Sequence, residues 1–252
     1  DLGTGKILGM GVQVRWNHPE RGWLEPASFM PAAEKTGIIV GLGHWVLDQA
    51  CQQMRQWRDQ GMAPPVVAIV LSLAQLKTGP ELIYDVLRTT ARWELAPWDL
   101  RFDVTEATLA QTKWTHNDVL PRLCELGVQI AIDDFGTEYS SFDYLKTYRV
   151  NHLKLAQRFL DSANDDPENA TTLRAIINFA RDVGIGIIAE GVETQEQRTT
   201  LMSSGGAMQA QGHYFSTVVD SGQAAELLKA GTIIPATDHW TRPASQLSES
   251  NP

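Results

Sequence analysis

Short apolar runs in this chain end, one after another, on side chains able to do chemistry: Arg15, Ser72, Asp103 with Glu106, Asp133 with Asp134, Lys154, Glu190 with Glu193, and Gln211. A single aspartate at the end of an apolar run is commonly the N-cap of the next helix. The adjacent pair Asp133-Asp134 asks for more. Two neighbouring carboxylates repel unless a cation neutralises them, so the pair points to a metal site or to a strongly shifted pKa. Lys154 emerges from the apolar run HLKLA and needs an anionic partner there. As a set, these residues are oxygen-rich and cation-binding, with Arg15 suited to gripping an anion.

Residues that converge on one site must be positioned by elements that repeat. Apolar runs of strand length occur at 8–16, 66–72, 100–107, 129–135, 152–157, 185–191 and 208–215. Segments with helical periodicity lie between them, at 43–60, 79–93, 117–127 and 170–184. In the first of these, Trp45, Val46, Ala50, Met54 and Trp57 share roughly one face. Strand–helix alternation specifies a parallel sheet covered by helices. No glycine-rich phosphate loop follows a strand, and the polar residues cluster at strand ends. Both features favour a TIM-like (β/α) barrel over an open doubly wound sheet. Seven strands can be counted where a closed barrel has eight, so the N-terminal strand is expected upstream of residue 1. The barrel domain is expected over 1–230, with a loosely ordered Pro- and Ser-containing tail over 231–252.

The composition of the 252 residues, 43% hydrophobic and 20% charged, is that of a globular protein. No apolar run is long enough to span a membrane. The net charge of −9 argues against a nucleic-acid polymer as partner but leaves room for a small phosphate ligand at a local cluster of cations. Cys51 and Cys124 read as reduced thiols of a cytoplasmic protein. The histidines lack metal-ligand spacing, the tryptophans read mainly as core or helix-packing residues, and Phe135 reads as core.

The segments RWNHPERGWLEPASFMPAAEKTG, AIDDFGTEYSSFDYLKTYRVNHLKL, IIAEGVET and QAQGHYFS resemble the EAL-domain family, over residues 1 to about 230. The resemblance implies a bacterial, cytosolic (β/α) barrel of the kind that hydrolyses cyclic di-GMP to pGpG with two Mg²⁺ or Mn²⁺ ions. By position, it implies metal ligation for Asp103, Asp133 and Glu190. It implies support of the nucleophilic water for Lys154, and for Glu106 a tether on the loop after DDFG. Contacts to the ligand fall to Arg15, Asp134, Glu193 and Gln211.

The departures from the family pattern set the functional expectation. Where the family has Glu-Ala-Leu, the chain has Gly11-Val12-Gln13, and where it has a ligating asparagine the chain has Val70. Asp103 is one methylene shorter than the family's glutamate. Glu138, Ala156 and His213 are further departures. The expectation is therefore a catalytically inactive, degenerate EAL domain acting in cyclic di-GMP signalling as a nucleotide receptor or protein-interaction module. No cofactor is expected to bind tightly, and the metal positions are vestigial. The alternative is a weak phosphodiesterase retaining Mg²⁺ or Mn²⁺. Expected partners are cyclic di-GMP, a protein effector, diguanylate-cyclase-like or sensor domains in the full chain, and a second copy pairing through 140–148.

Overall fold

The computed structural model describes residues 1–62, 64–112, 118–136, 145, 148–161, 167–205 and 208–233. Seven strands form one sheet, every neighbouring pair parallel: β1 (Met10–Gly11), β4 (Val67–Val70), β5 (Leu100–Thr105), β6 (Gln129–Phe135), β7 (His152–Leu155), β8 (Gly186–Ala189) and β9 (Met208–Ala210). Their order in the sheet is their order in the chain, as the seven apolar runs predict. Beside β9 runs the N-terminal segment, where the Leu2 amide donates to the Met208 carbonyl at 2.9 Å and Lys6 bridges to Thr232. The antiparallel hairpin of β2 (Trp16–His18) and β3 (Gly22–Leu24) stands apart from the sheet, at the end of the stretch after β1. It has no counterpart among the sequence-predicted elements.

Helices connect the strands. They are α1 (Pro26–Thr36), α2 (Ile38–Asp59), α3 (Leu73–Leu76), α4 (Pro80–Arg92), α5 (Glu106–Thr112), α6 (Val119–Glu125), α7 (Arg158–Asp161), α8 (Pro167–Asp182), α9 (Gln195–Ser203) and α10 (Ser221–Ala230). Capping boxes start three of them, on Ser72 with Gln75, Thr194 with Gln197 and Asp220 with Gln223. Each satisfies otherwise orphaned backbone donors. Gly37, at φ +77°, lets α1 end and α2 begin within a single residue.

In a curled parallel sheet the outward residues of each strand pack under the helices and the inward ones face the barrel interior. In β5, Leu100, Phe102 and Val104 are buried in the main core cluster against the helices, while Arg101, Asp103 and Thr105 point the other way. The same alternation sets Ile130 and Ile132 of β6, Leu153 and Leu155 of β7, and Ile187 and Ala189 of β8 in the core. It leaves Asp133, His152 and Lys154 for the interior of the curled sheet. Phe135 is core, as expected. On α2 the buried face is Val46, Leu47, Ala50, Cys51, Met54 and Trp57. Trp45 is 55% exposed, and Trp16, Trp23 and Trp98 are exposed as well, so none of these four is core, while Trp16 packs edge-on against Phe29 of α1. Their positions lie one residue off the inward stripe or outside the barrel wall. Cys51 and Cys124 are free thiols. Glu138, most of the segment 140–148 and residues 234–252 lie outside the described residues.

Candidate functional site

Lys154 is the centre of the sheet interior. Its Nζ lies 2.9 Å from Asp103 Oδ2, 3.0 Å from Asp133 Oδ1 and 2.8 Å from Glu190 Oε1, with only 4% of the residue exposed. The three acids come from three strand ends and reach one ammonium because β5, β6, β7 and β8 are consecutive neighbours, the β6–β7 register shifting between Ile132 and Phe135, where Asp133 lies. Asp103 has a second cation. The Arg101 guanidinium donates from Nε to Asp103 Oδ1 at 2.7 Å and from Nη2 to Oδ2 at 3.4 Å, both side chains being buried. Gln211, just past β9, donates to Glu190 Oε1 at 2.6 Å.

Crowding of charge in a dry interior sets the protonation states. Burial pushes the Glu190 carboxyl up, and neighbouring Asp133 adds to it against the pull of Lys154, leaving a pKa of about 7. Burial works against the Lys154 ammonium, yet Asp103, Glu190 and Asp133 outweigh it and hold its pKa above the ordinary lysine value. His152, one layer below Lys154 on β7, is pushed down to about 4 by burial and by the charge of Arg101. Its Nε2 lies 3.2 Å from Gln209 Nε2, which makes that ring nitrogen the acceptor.

Asp134 turns out of β6 at φ +54°, is exposed, and takes its own amide back to Asp133 Oδ1 at 3.1 Å. Burial, then Asp133, raises its pKa. Asp133, Asp134 and Glu190 each offer an oxygen within 4.8 Å of the others, so this trio could hold a cation. The trio shares Asp133 and Glu190 with the expected metal set and has Asp134 where that set has Asp103, whose oxygens face Arg101 and Lys154. Glu106, 1% exposed, accepts the Gly136 amide at 3.2 Å and so holds the end of β6 where DDFG leaves it. Arg15, four residues past Gly11 of β1 and partly exposed, has its Nη2 2.8 Å from Glu25 Oε1. Glu193 is exposed at the rim, its backbone amide given to Gln197.

Space is not what excludes an oxygen from position 11. A Cβ built on Gly11 meets nothing within 4 Å, and its φ is not left-handed, so neither backbone nor space requires glycine there. Val70 pairs with Asp103 across the sheet and is 53% exposed, an apolar side chain facing the mouth.

Residues 1–217 match the family model described as EAL domain. The chain belongs to the EAL domain family. It is 40% identical over 202 residues to the bifunctional diguanylate cyclase/cyclic di-GMP phosphodiesterase MucR of Pseudomonas aeruginosa, covering 80% of this chain and 29% of that protein. It is 34% identical over 223 residues to the signalling protein YkoW of Bacillus subtilis, covering 88% of this chain and 28% of that protein. The chain thus spans under a third of the length of these relatives. Among solved structures it resembles the MucR phosphodiesterase in complex with cyclic di-GMP, at TM-score 0.81 and 36% identity over 88% of this chain and 92% of that one. It also resembles the Pseudomonas aeruginosa FimX EAL domain bound to cyclic di-GMP, at TM-score 0.74 and 25% identity over 82% of each chain.

Within this EAL domain, Asp103, Asp133 and Glu190 meet at Lys154 and Gln211 joins through Glu190, while Arg15 pairs with Glu25. Two residues escaped the sequence reading. Glu25 has no signal of its own, because it reaches Arg15 only through the β2–β3 hairpin. Arg101 did have one: the alternation that turns Asp103 inward turns its second neighbour inward too. Ala156 is buried just after β7, and His213 is exposed. Among the described residues no helix is long and apolar enough to cross a membrane.

Proposed function

We propose that this chain is a catalytically inactive EAL domain that serves as a cyclic di-GMP receptor in signalling. The observation that carries the proposal is the pair of positions where the family places metal oxygens and this chain offers none, Gly11 and Val70. Each Mg²⁺ or Mn²⁺ of a two-ion site needs a shell of oxygen ligands in which protein carboxylates or amides anchor the ion beside its bound waters. The donor set left around Lys154 does not fit a pair of such ions, since Asp103 is already shared between Lys154 and Arg101. Without that shell, the residues that remain are ones that bind rather than cleave. Arg15 can leave Glu25 for a phosphate through charge-assisted hydrogen bonds, and Gln211, Asp134 and Glu193 border the same mouth. The likeness to cyclic di-GMP complexes of MucR and FimX supports the ligand class. We place the domain on the cytoplasmic side, in a longer protein carrying a diguanylate-cyclase-like or sensor domain as the bifunctional MucR does, with a protein effector or a second copy as the recipient of the signal.

Calorimetric titration tests the proposal. Cyclic di-GMP is expected to bind with a dissociation constant below about 100 µM, equally in EDTA and in Mg²⁺, and to be recovered intact. Absence of binding at that concentration removes the receptor role. A second reading, residual one-metal phosphodiesterase activity, is favoured only by the trio Asp133, Asp134 and Glu190. Turnover to pGpG that is lost in Asp133→Asn would establish it in place of the first.

A further inference from the structure

The interior of a metal-dependent site must hold an excess of carboxylate, and here that excess already meets two cations that belong to the chain. We infer that Arg101 is a resident cation of this site, a positioning residue that holds Asp103 as its ion-pair partner and withdraws it from any divalent metal. The inference rests on the reading of an inactive domain and names the device that maintains it.

Three observations carry it. Both oxygens of Asp103 are engaged, Oδ1 by Arg101 Nε at 2.7 Å and Oδ2 by Arg101 Nη2 at 3.4 Å and Lys154 Nζ at 2.9 Å. This is the planar fork that matches a carboxylate, and a guanidinium cannot give up its proton to make way for a metal. The pair is also enclosed, its side chains 9% and 6% exposed. A metal that took Asp103 would leave a buried arginine without a counter-charge, which is costly. Finally, Arg101 has the room it needs. The register runs Gly11, Ala68, Arg101 across β1, β4 and β5, so the two neighbours in its layer carry no side chain and a single methyl. Gly11 and Arg101 line the same cavity of about 110 Å³, together with Gln209 and Gln211. The missing acid at one end of that layer and the extra base at the other therefore occupy one space. In agreement with this, among the described residues the acids whose oxygens lie within 4.8 Å of one another are Asp133, Asp134 and Glu190.

The test is a Mn²⁺ titration followed by the electron paramagnetic resonance signal of free Mn²⁺, with no nucleotide present. The wild-type protein is expected to take up no more than one Mn²⁺ per chain. Arg101→Gln is expected to tighten Mn²⁺ binding by about 10-fold or more, and Arg101→Lys, which keeps the charge, is expected not to. Equal affinity in wild type and Arg101→Gln overturns the inference and leaves the receptor reading standing. If Arg101→Gln does not fold, Asp103→Asn decides. Mn²⁺ affinity within about 2-fold of wild type supports the inference, and a loss of about 10-fold or more overturns it. Uptake of two Mn²⁺ ions by the wild-type protein overturns this inference and the inactive reading together.

Discussion

Replacing Lys154 by methionine keeps the length of the side chain and removes the charge that three carboxylates share. Lys154 is 4% exposed, with Asp103, Asp133 and Glu190 all within 3.0 Å of its Nζ. Removing one member of a buried ion pair costs about 3–5 kcal/mol, because the remaining charge is left without compensation. Here the acids have one other means of relief, a proton on Glu190. That carboxyl already titrates near 7 instead of 4.5 with Lys154 present. An acid whose pKa is raised on folding contributes stability that is full below its unfolded pKa and is lost as pH rises through the folded one. For Glu190 in the wild-type protein this loss falls between pH 4.5 and about 7 and amounts to roughly 3 kcal/mol. Without Lys154 the attraction that lowers the Glu190 pKa is gone, so the folded variant keeps its proton to higher pH.

The penalty of Lys154→Met should therefore depend on pH. It is expected to reach about 3–5 kcal/mol at pH 8 and to be smaller at pH 5.5, where Glu190 is neutral in both proteins. Urea unfolding at the two pH values measures this, with Trp57 in the core as a fluorescent reporter and unchanged m-values as the check that the unfolded surface is the same. A penalty below about 1 kcal/mol at pH 8, or one of the same size at both pH values, would refute the charge-sharing account.

Further outcomes follow from the same geometry. His152 titrates near 4 rather than 6.5, and a base whose pKa is depressed on folding loses stability as pH falls through that interval. His152→Leu should therefore remove up to about 3 kcal/mol of acid-induced destabilisation between pH 6.5 and 4, read from urea midpoints across that range. Gly212 has φ +153°, and a Cβ there would lie 2.2 Å from the Val192 carbonyl oxygen. Gly212→Ala is expected to cost about 2 kcal/mol or more in thermal or urea unfolding, since backbone rather than a side-chain tip must move. Gly11→Glu with Val70→Asn supplies the oxygens that the proposed reading takes to be lost, but the carboxylate introduced at position 11 faces the cavity that Arg101 lines. Chromatographic detection of pGpG with Mn²⁺ is expected to show turnover only when Arg101→Val is added to that pair, and turnover in the double variant alone would show that Arg101 is no obstacle.

The sheet was legible because apolar residues recur at strand spacing along segments of strand length, and β5 through β8 carry most of their branched or aromatic residues on the outward face. The elements that escaped lack such runs. The β2–β3 hairpin, whose turn spans residues 19–21 and whose β3 opens on Gly22 at φ +67°, has three residues per strand, too short for period-2 alternation to register. α9 and α10 are weakly amphipathic, but their capping boxes at Thr194–Gln197 and Asp220–Gln223 were visible signals. Trp45 is expected on the face of Val46, Ala50, Met54 and Trp57, yet it is 55% exposed, since a step of about 100° from Val46 carries it off the buried stripe. At the site, residue types announced which acids and which lysine mattered. The pairing did not follow from type. Asp103 could face a metal, Lys154 or Arg101, and only the side-chain geometry assigns it to the last two.

That pairing changes what holds the interior together. An acidic cluster that awaits metal is unstable without it, because like charges in a low-dielectric space repel strongly. In this chain Asp103, Asp133 and Glu190 face Arg101 and Lys154. The remaining imbalance of one charge is met by the raised pKa of Glu190, which lets a proton do what a metal would otherwise do. The interior thus has its own neutralisation, independent of any ion in solution. Under the proposed receptor role, ligand binding through Arg15 and its neighbours would be free of the requirement that metal bind first. A receptor built this way should respond to the concentration of its anionic ligand and to ionic strength, and be indifferent to chelation of divalent cations.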